Sequence, residues 1–213
     1  MIKRSALKFL QISLLGAGLC GVGYYLYSIS DQYVYQSYQS WALDQQIRGR
    51  KKPETALVRK PARGDSLGRI EIPRLNVSSM VREGVDAETL SVSAGHVPST
   101  AFPDQTGNFV VAAHRDTLFR AIRNVRRGDV VIFESPHATY QYEVEATKIV
   151  DPSDVSVLAP NGGGIMPPLR YAAATRLDSE RLLTLITCYP FYFIGPAPKR
   201  FIVEARMIKR EGS

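Results

Sequence analysis

The sequence is poor in the residue types that most often mark a disulfide-rich fold or a metal site. Its 213 residues include two cysteines, three histidines and one tryptophan. Cys20 lies inside an apolar run and Cys188 in a β-type segment, so the two predict no disulfide framework. His96 and His137 are too far apart in sequence to suggest a metal pair. We therefore expect neither a metal ion nor a cofactor.

Negative charge is scarce at the N-terminal end of the chain. Residues 1–60 contain nine Lys/Arg and three Asp/Glu, whereas residues 61–213 contain 18 and 17. The formal net charge of +7 thus belongs mainly to the N-terminal segment, and the rest of the chain is nearly neutral. Because nucleic-acid binding requires a basic patch on the folded domain, we expect no nucleic-acid partner.

Charge of either sign is missing between Phe9 and Ile29. About 20 apolar residues in a helix span the roughly 30 Å hydrocarbon core of a membrane. Lys3, Arg4 and Lys8 precede this run, and no Lys or Arg follows it until Arg48. The asymmetry predicts a single-pass anchor in the cytoplasmic (inner) membrane, with the N-terminus in the cytoplasm and the remainder extracytoplasmic.

A cleaved signal peptide is the competing interpretation of this run. Residues 17–20, Ala-Gly-Leu-Cys, resemble a lipoprotein cleavage site, but Leu19 stands where a small residue is expected. The apolar run also continues past that point, so we favour an uncleaved anchor.

Two segments separate the anchor from the folded body. Residues 31–46 are polar and aromatic and can continue a helix beyond the membrane, with Trp41 and Leu43 as apolar contacts. Residues 47–66 are basic and contain two prolines, a composition typical of an extended linker.

From Leu67 onwards the pattern is one of short strands separated by Gly, Pro and Asp. Short strands at this spacing with few helices predict a closed or nearly closed β-barrel. Helical turns are expected at Asp86–Ser91, where Asp86 can act as the N-cap, and at Leu118–Ile122. The predicted strands are Leu67–Ile72, Val77–Val81, Asn108–Ala113, Val130–Phe133, Thr139–Val150, Leu182–Thr187 and Phe201–Ile208.

Cys188 ends one of these predicted strands, in the string Thr-Leu-Ile-Thr-Cys-Tyr-Pro at residues 184–190. Arg200 follows across a short loop, at the start of the last strand. A thiol at a strand end beside a fixed cation is the arrangement of a nucleophilic cysteine, although a buried structural cysteine is the commoner case.

His114 ends another predicted strand, where Val110, Ala112 and His114 share one face. His96 and Arg115 are second candidates for a supporting role, and His96 fits packing against the barrel wall as well as substrate contact. His137 lies in a predicted exposed turn.

Together these motifs resemble the sortases, a family of membrane-anchored cysteine transpeptidases. A Thr-Leu-x-Thr-Cys motif followed by Arg is the family's signature. The stretch from Gly107 to Asp116, which contains His114, resembles the family's histidine motif, and Gly95–Pro98 with Pro103 resembles its pattern for the segment before that strand. Residues 189–192 and 196–199 resemble the class D branch, which includes members from Gram-negative bacteria.

The resemblance implies a closed eight-stranded β-barrel with short helices and a catalytic triad. In that triad Cys188 is the nucleophile, His114 the general acid/base and Arg200 the group that stabilises the oxyanion. The long segment Pro160–Glu180 would form one wall of the substrate groove. The expected parts of the chain are a cytoplasmic N-terminus (1–8), a transmembrane anchor (9–29), an extracytoplasmic stalk (30–65) and a catalytic domain (66–213).

The implied substrates are proteins that carry a C-terminal Leu-Pro-x-Thr-Gly-like sorting signal. The acyl group would pass from a Cys188 thioester to an amine acceptor. Two alternatives stay open at this point: a non-catalytic, membrane-tethered β-barrel that binds peptides, and a purely hydrolytic cysteine peptidase.

Overall fold

A computed structural model describes residues 2–49, 60–162, 181–193 and 195–212 of the chain, and residues 2–6 by their backbone only. The helices are α1 (Ile2–Arg48) and α2 (Ala87–Val92), with 3₁₀ helices at Pro73–Leu75, Arg120–Asn124 and Val155–Leu158. The strands are β1 (Ser66–Ile72), β2 (Val77–Glu83), β3 (Ala94–His96), β4 (Gly107–Ala112), β5 (Val130–Glu134), β6 (Thr139–Val150), β7 (Arg181–Tyr189) and β8 (Lys199–Glu211).

The eight strands form a closed barrel in the order β1-β2-β3-β4-β7-β8-β6-β5, with β5 pairing back to β1. The β2–β3 and β4–β7 pairs are parallel and the other neighbours are antiparallel. The predicted fold class, a closed eight-stranded barrel with few helices, is therefore confirmed. This topology places the C-terminal ends of β4 and β7 beside the start of β8.

Alternation along each strand sends every second side chain into the barrel. Phe109 and Val111 of β4, and Leu183 and Leu185 of β7, belong to one buried apolar cluster. Their neighbours in sequence therefore face the outside of the barrel, where Ile202 of β8 joins a smaller cluster with Val150 and Val157.

Strand β3 is the one strand that the sequence analysis does not predict. It is three residues long, too short to show a period-2 pattern. A Cβ atom on Gly95 would lie 2.1 Å from the backbone oxygen of Gly84, so only glycine allows this close approach. The predicted turn at Leu118–Ile122 lies two residues later, at Arg120–Asn124. The N-cap prediction is confirmed, because Asp86 accepts a hydrogen bond from the Thr89 amide.

Helix α1 is continuous over 47 residues, about 70 Å, because the chain has no proline before residue 53. Part of it is long and apolar enough to cross a membrane. The helix ends at Arg48, before Gly49. Of its two predicted apolar contacts, Leu43 is confirmed at 4% exposure, whereas Trp41 is 59% exposed and lies beside Tyr38. Residues 50–59 of the predicted linker lie outside the described residues.

The part of α1 beyond the apolar run packs on the barrel. The Gln36 side chain donates a hydrogen bond to the Val92 carbonyl at 2.6 Å and accepts one from the Met80 amide at 2.8 Å. About two helical turns after Gln36, Asp44 forms an ion pair with Arg69 of β1 at 3.1 Å. These contacts fix the helix to β1, β2 and α2.

Candidate active site

Cys188 lies one residue before the end of β7, on the outside of the barrel. It shares this face with Thr184 and Ile186, while Leu183 and Leu185 point into the core. Its side chain is half-buried, and it has no disulfide partner. The thiol is therefore open to a molecule bound against the outer face of the sheet.

Arg200 is the direct cross-strand partner of Cys188 in the β7–β8 pair. Residues opposite each other in an antiparallel pair have Cβ atoms about 4.5–5.5 Å apart. The Arg200 guanidinium donates hydrogen bonds to the backbone oxygens of Ala197 and Lys199, at 3.2 and 3.0 Å. The side chain is thereby held at the strand end where Cys188 lies. Lys199, one residue earlier, pairs instead with Asp151 at 2.7 Å.

His114 follows the end of β4, and its side chain is exposed. In the parallel β4–β7 pair Ala112 lies opposite Ile186. The Ala113 amide donates to the Ile186 carbonyl at 3.1 Å, so the two chains stay side by side past the end of β4. His114 and Cys188 each lie two residues beyond the Ala112–Ile186 pair. The fold thus places His114, Cys188 and Arg200 at the adjacent ends of β4, β7 and β8.

The two threonines of the cysteine motif hold this arrangement together. Thr187, buried, donates a hydrogen bond to the Ala113 carbonyl at 2.7 Å, which ties β7 to the residue before His114. Thr184, also buried, donates to the Asn108 side chain at 2.8 Å. The sequence analysis assigned no role to these hydroxyls, although alternation does place Thr187 on the inner face.

Asn108 extends the network to the segment that covers the outer face of β4. Its amide nitrogen donates to the carbonyls of Val157 and Ala159, at 3.0 and 3.1 Å. Buried polar groups need such partners. The segment predicted to form one wall of the groove, Pro160–Glu180, follows directly, and its residues 163–180 lie outside the described part of the chain.

Arg115 contacts the loop between β7 and β8. Its guanidinium donates hydrogen bonds to the carbonyls of Pro190 at 3.0 Å, Phe193 at 2.7 Å and Gly195 at 3.1 Å. It also lies 5.9 Å from the centre of the Phe193 ring. The residue after His114 therefore bonds to the loop that connects Cys188 with Arg200.

His96 lies away from this strand end, in the barrel wall. It is 1% exposed and packs between Phe102 and Phe109. One ring nitrogen lies 2.6 Å from the Glu83 carboxylate and the other 2.9 Å from the Thr100 hydroxyl. Of the two roles left open for His96, the structure therefore shows the packing one. His137 is exposed in a turn, as predicted.

A cleft of about 990 Å³ opens beside His114. One side is formed by Tyr25, Ser28 and Ile29 of α1, and the other by residues that include Thr117 and Arg120. Within the described residues, no group of three or more His, Cys, Asp and Glu side chains is arranged to hold a metal ion.

Comparison with known proteins identifies the family of this chain. A model of the sortase domain matches residues 70–208. Sortase D of Bacillus subtilis is 34% identical over 149 residues, which cover 70% of this chain and 67% of the relative.

Solved structures share the fold. A sortase D5 transpeptidase of Clostridium perfringens superposes with a TM-score of 0.62 at 23% identity, over 84% of this chain and 99% of the other. Sortase E1 of Streptomyces coelicolor, solved with a tripeptide in its active site, gives a TM-score of 0.59 at 28% identity, over 72% and 94% of the two chains. The domain match and the 34% identity to sortase D establish that this chain belongs to the sortase family of cysteine transpeptidases.

Proposed function

We propose that this protein is a membrane-anchored transpeptidase whose catalytic groups are Cys188, His114 and Arg200. The observation that carries the proposal is their common location at the adjacent ends of β4, β7 and β8, with Arg200 directly opposite Cys188. The proposed substrate is a protein with a Leu-Pro-x-Thr-Gly-like sorting signal, and the proposed acceptor is an amine. Sortases act on proteins that carry cell-wall sorting signals, and the membership of this chain in that family supports the substrate class.

In the first half-reaction the Cys188 thiolate attacks the carbonyl carbon of the threonine residue of the signal. Arg200 stabilises the negative charge that develops on the carbonyl oxygen, because a guanidinium stays protonated and presents several donors. The C–N bond then breaks, and His114 gives its proton to the departing amine. The acyl group is left as a thioester on Cys188.

In the second half-reaction an amine attacks the thioester. His114, now unprotonated, accepts the proton of the attacking amine, and the Cys188 thiolate leaves. The products are a new amide bond and the regenerated enzyme.

Arg115 acts in this scheme as a positioning residue. Its three hydrogen bonds hold the loop that joins Cys188 to Arg200, and it is adjacent to His114 in sequence. It therefore links the histidine end of β4 to the other two groups without touching the reacting atoms itself.

For the anchor, we propose that residues 1–8 are cytoplasmic, that residues 9–29 cross the membrane and that the barrel is extracytoplasmic. The apolar run within α1 and the basic residues that precede this run support this orientation. A protease added to intact spheroplasts should digest the barrel, whereas protection of the barrel until lysis would contradict the orientation.

The catalytic proposal is tested with the full chain in detergent, a Leu-Pro-x-Thr-Gly peptide and an amine acceptor. Intact-mass measurement should show an acyl-enzyme on the wild type and on Cys20→Ala, but none on Cys188→Ala. Cys20 is the matched control, because it is the other free thiol and lies in the apolar run.

The product distribution separates the alternatives. Ligated product in excess of hydrolysed product supports the transpeptidase, and hydrolysis alone in the presence of the amine indicates a peptidase. Peptide binding with no acyl-enzyme indicates a non-catalytic binding protein.

A further inference from the structure

The cleft beside His114 brings together the membrane segment and the catalytic end of the barrel. Tyr25, Ser28 and Ile29, the last residues of the apolar run, line the same cleft as His114 and Arg120. The hydrogen bonds of the Gln36 side chain fix the orientation of the barrel relative to α1, because any rotation of the barrel away from the helix would break them. Because α1 is one continuous helix, the end of the barrel that carries His114 lies beside the point where the helix leaves the apolar run.

The distance along the helix agrees with this placement. The proposed span of residues 9–29 is 21 residues long and fills the roughly 30 Å hydrocarbon core, so Ile29 lies at its outer edge. The α1 residues of the cleft run from Tyr25 to Gln32. At a rise of about 1.5 Å per residue they lie within about 6 Å of that edge, at the boundary between the hydrocarbon core and the lipid headgroups.

The chain segment that begins in the cleft opposite α1 is strongly basic. Residues 117–128 contain four arginines and no Asp or Glu, although residues 61–213 as a whole contain nearly equal numbers of basic and acidic residues. All four arginines are exposed, and two of them line the cleft with α1. They are Arg120, Arg123, Arg126 and Arg127. We call residues 117–128 the arginine segment.

We propose that the arginine segment binds the headgroups of anionic phospholipids and seats the His114 end of the barrel on the membrane surface. This proposal rests on the membrane anchoring put forward under the proposed function. Guanidinium groups form paired hydrogen bonds with phosphate oxygens. A basic residue close to an anionic membrane surface favours association by roughly fivefold, and the effect is confined to a Debye length of about 8–10 Å. The attraction therefore acts only on basic residues that α1 already holds within this distance of the membrane surface.

The test uses the full chain in nanodiscs, made either of phosphatidylcholine alone or of phosphatidylcholine mixed with phosphatidylglycerol. Amide hydrogen exchange, read by mass spectrometry, reports the protection of each segment. Exchange in residues 117–128 should be about fivefold or more slower in the anionic nanodiscs, and high salt should remove the difference. The readout requires no turnover, so it is independent of whether the catalytic proposal holds, and retention of the chain in the nanodiscs reports the anchoring separately.

Two matched double variants locate the effect. Arg120→Gln with Arg123→Gln, which removes the two arginines that line the cleft, should abolish the lipid-dependent protection. Lys209→Gln with Arg210→Gln removes the same charge from the far end of β8 and should leave it intact. Unchanged hydrogen exchange in β4 and β7 shows that both double variants are folded.

Three results would overturn the proposal. The first is equal exchange of the arginine segment in the two kinds of nanodisc made with the wild-type chain. The second is slower exchange in the anionic nanodiscs that high salt does not remove. The third is a loss of protection of the same size in the two double variants, which would indicate a general effect of net charge.

Discussion

Removing the Arg115 side chain should slow catalysis more than it destabilises the protein. Arg115 donates three hydrogen bonds to the loop between β7 and β8, of which the one to Pro190 is half-buried and those to Phe193 and Gly195 are exposed. A half-buried bond from a charged donor contributes about 1.5 kcal/mol, and each exposed one contributes less. The set therefore favours the ordered loop by about 2–3 kcal/mol, or roughly 30- to 150-fold.

Part of that ordering is required in the transition state, because the loop joins the proposed nucleophile to Arg200. We expect Arg115→Ala to lower kcat/KM by about 10- to 100-fold. Arg115→Lys keeps the charge but can replace only part of the three bonds, so it should recover part of the loss. The assay is single-turnover acylation by a sorting-signal peptide, together with the alkylation rate of Cys188 and the unfolding temperature.

Lys199→Ala is the matched control, since it also removes one cation from this loop but breaks only an exposed ion pair with Asp151. It should be close to wild type. The argument fails if Arg115→Ala keeps full kcat/KM. An equal fall in kcat/KM in Arg115→Ala and Lys199→Ala would also contradict the positioning role. So would a fall in the kcat/KM of Arg115→Ala that only follows a lower unfolding temperature, if Arg115→Lys does not share that lower temperature.

Three further predictions concern single side chains. Arg200→Ala should lower the acylation rate by about 10²–10³-fold, which is the usual effect of losing one oxyanion donor. Arg200→Lys should recover part of this loss. If Lys199→Ala lost acylation while Arg200→Ala kept it, the oxyanion role would belong to Lys199 instead. His96→Ala leaves the buried Glu83 carboxylate without its partner, so the free energy of unfolding in detergent should fall by about 3–5 kcal/mol. The acylation rate per folded molecule should persist. A loss of acylation at unchanged stability would contradict the packing role of His96. A hydrogen bond from the Arg74 guanidinium lowers the pKa of Asp129 below its usual value, so the carboxylate stabilises the fold above its unfolded pKa and loses this contribution as pH falls through the lowered one. Wild type should therefore exceed Asp129→Asn in stability near neutral pH by a margin that shrinks on acidification, and a margin independent of pH would refute the assignment.

The barrel and most of its strands are predictable from sequence because each long strand has a clear boundary. Strand β7, which carries Cys188, ends at Tyr189 before a proline, and β6 is a 12-residue run with one buried face. The 3-residue strand β3 is not predictable in this way. Its place depends on the contact of Gly95 with the backbone of Gly84, which is a property of the assembled barrel.

The supporting contacts of the site are harder to predict than its three proposed catalytic groups. Arg115 follows a strand-end histidine, which made it a candidate, but its partners are three carbonyls about 75–80 residues away in sequence. The attachment of α1 to the barrel through Gln36 is likewise absent from any local pattern. Such contacts follow from the tertiary arrangement and require the structure.

Strand direction explains why three residues so far apart in sequence lie together. Because β4 and β7 are parallel, their C-terminal ends lie at the same edge of the sheet, and β8 is antiparallel to β7 and therefore begins at that edge. Each strand must also have the correct register, because a shift of one residue would turn its catalytic side chain to the opposite face of the sheet. The Thr187 hydroxyl bond to Ala113 fixes this register between β4 and β7, and the direct Cys188–Arg200 pair fixes it between β7 and β8. A one-residue deletion in β8 directly after Arg200 should therefore lower the acylation rate about as much as Arg200→Ala does, because it turns Arg200 away from the face that carries Cys188. Acylation at the wild-type rate in this deletion variant would contradict the account of the register.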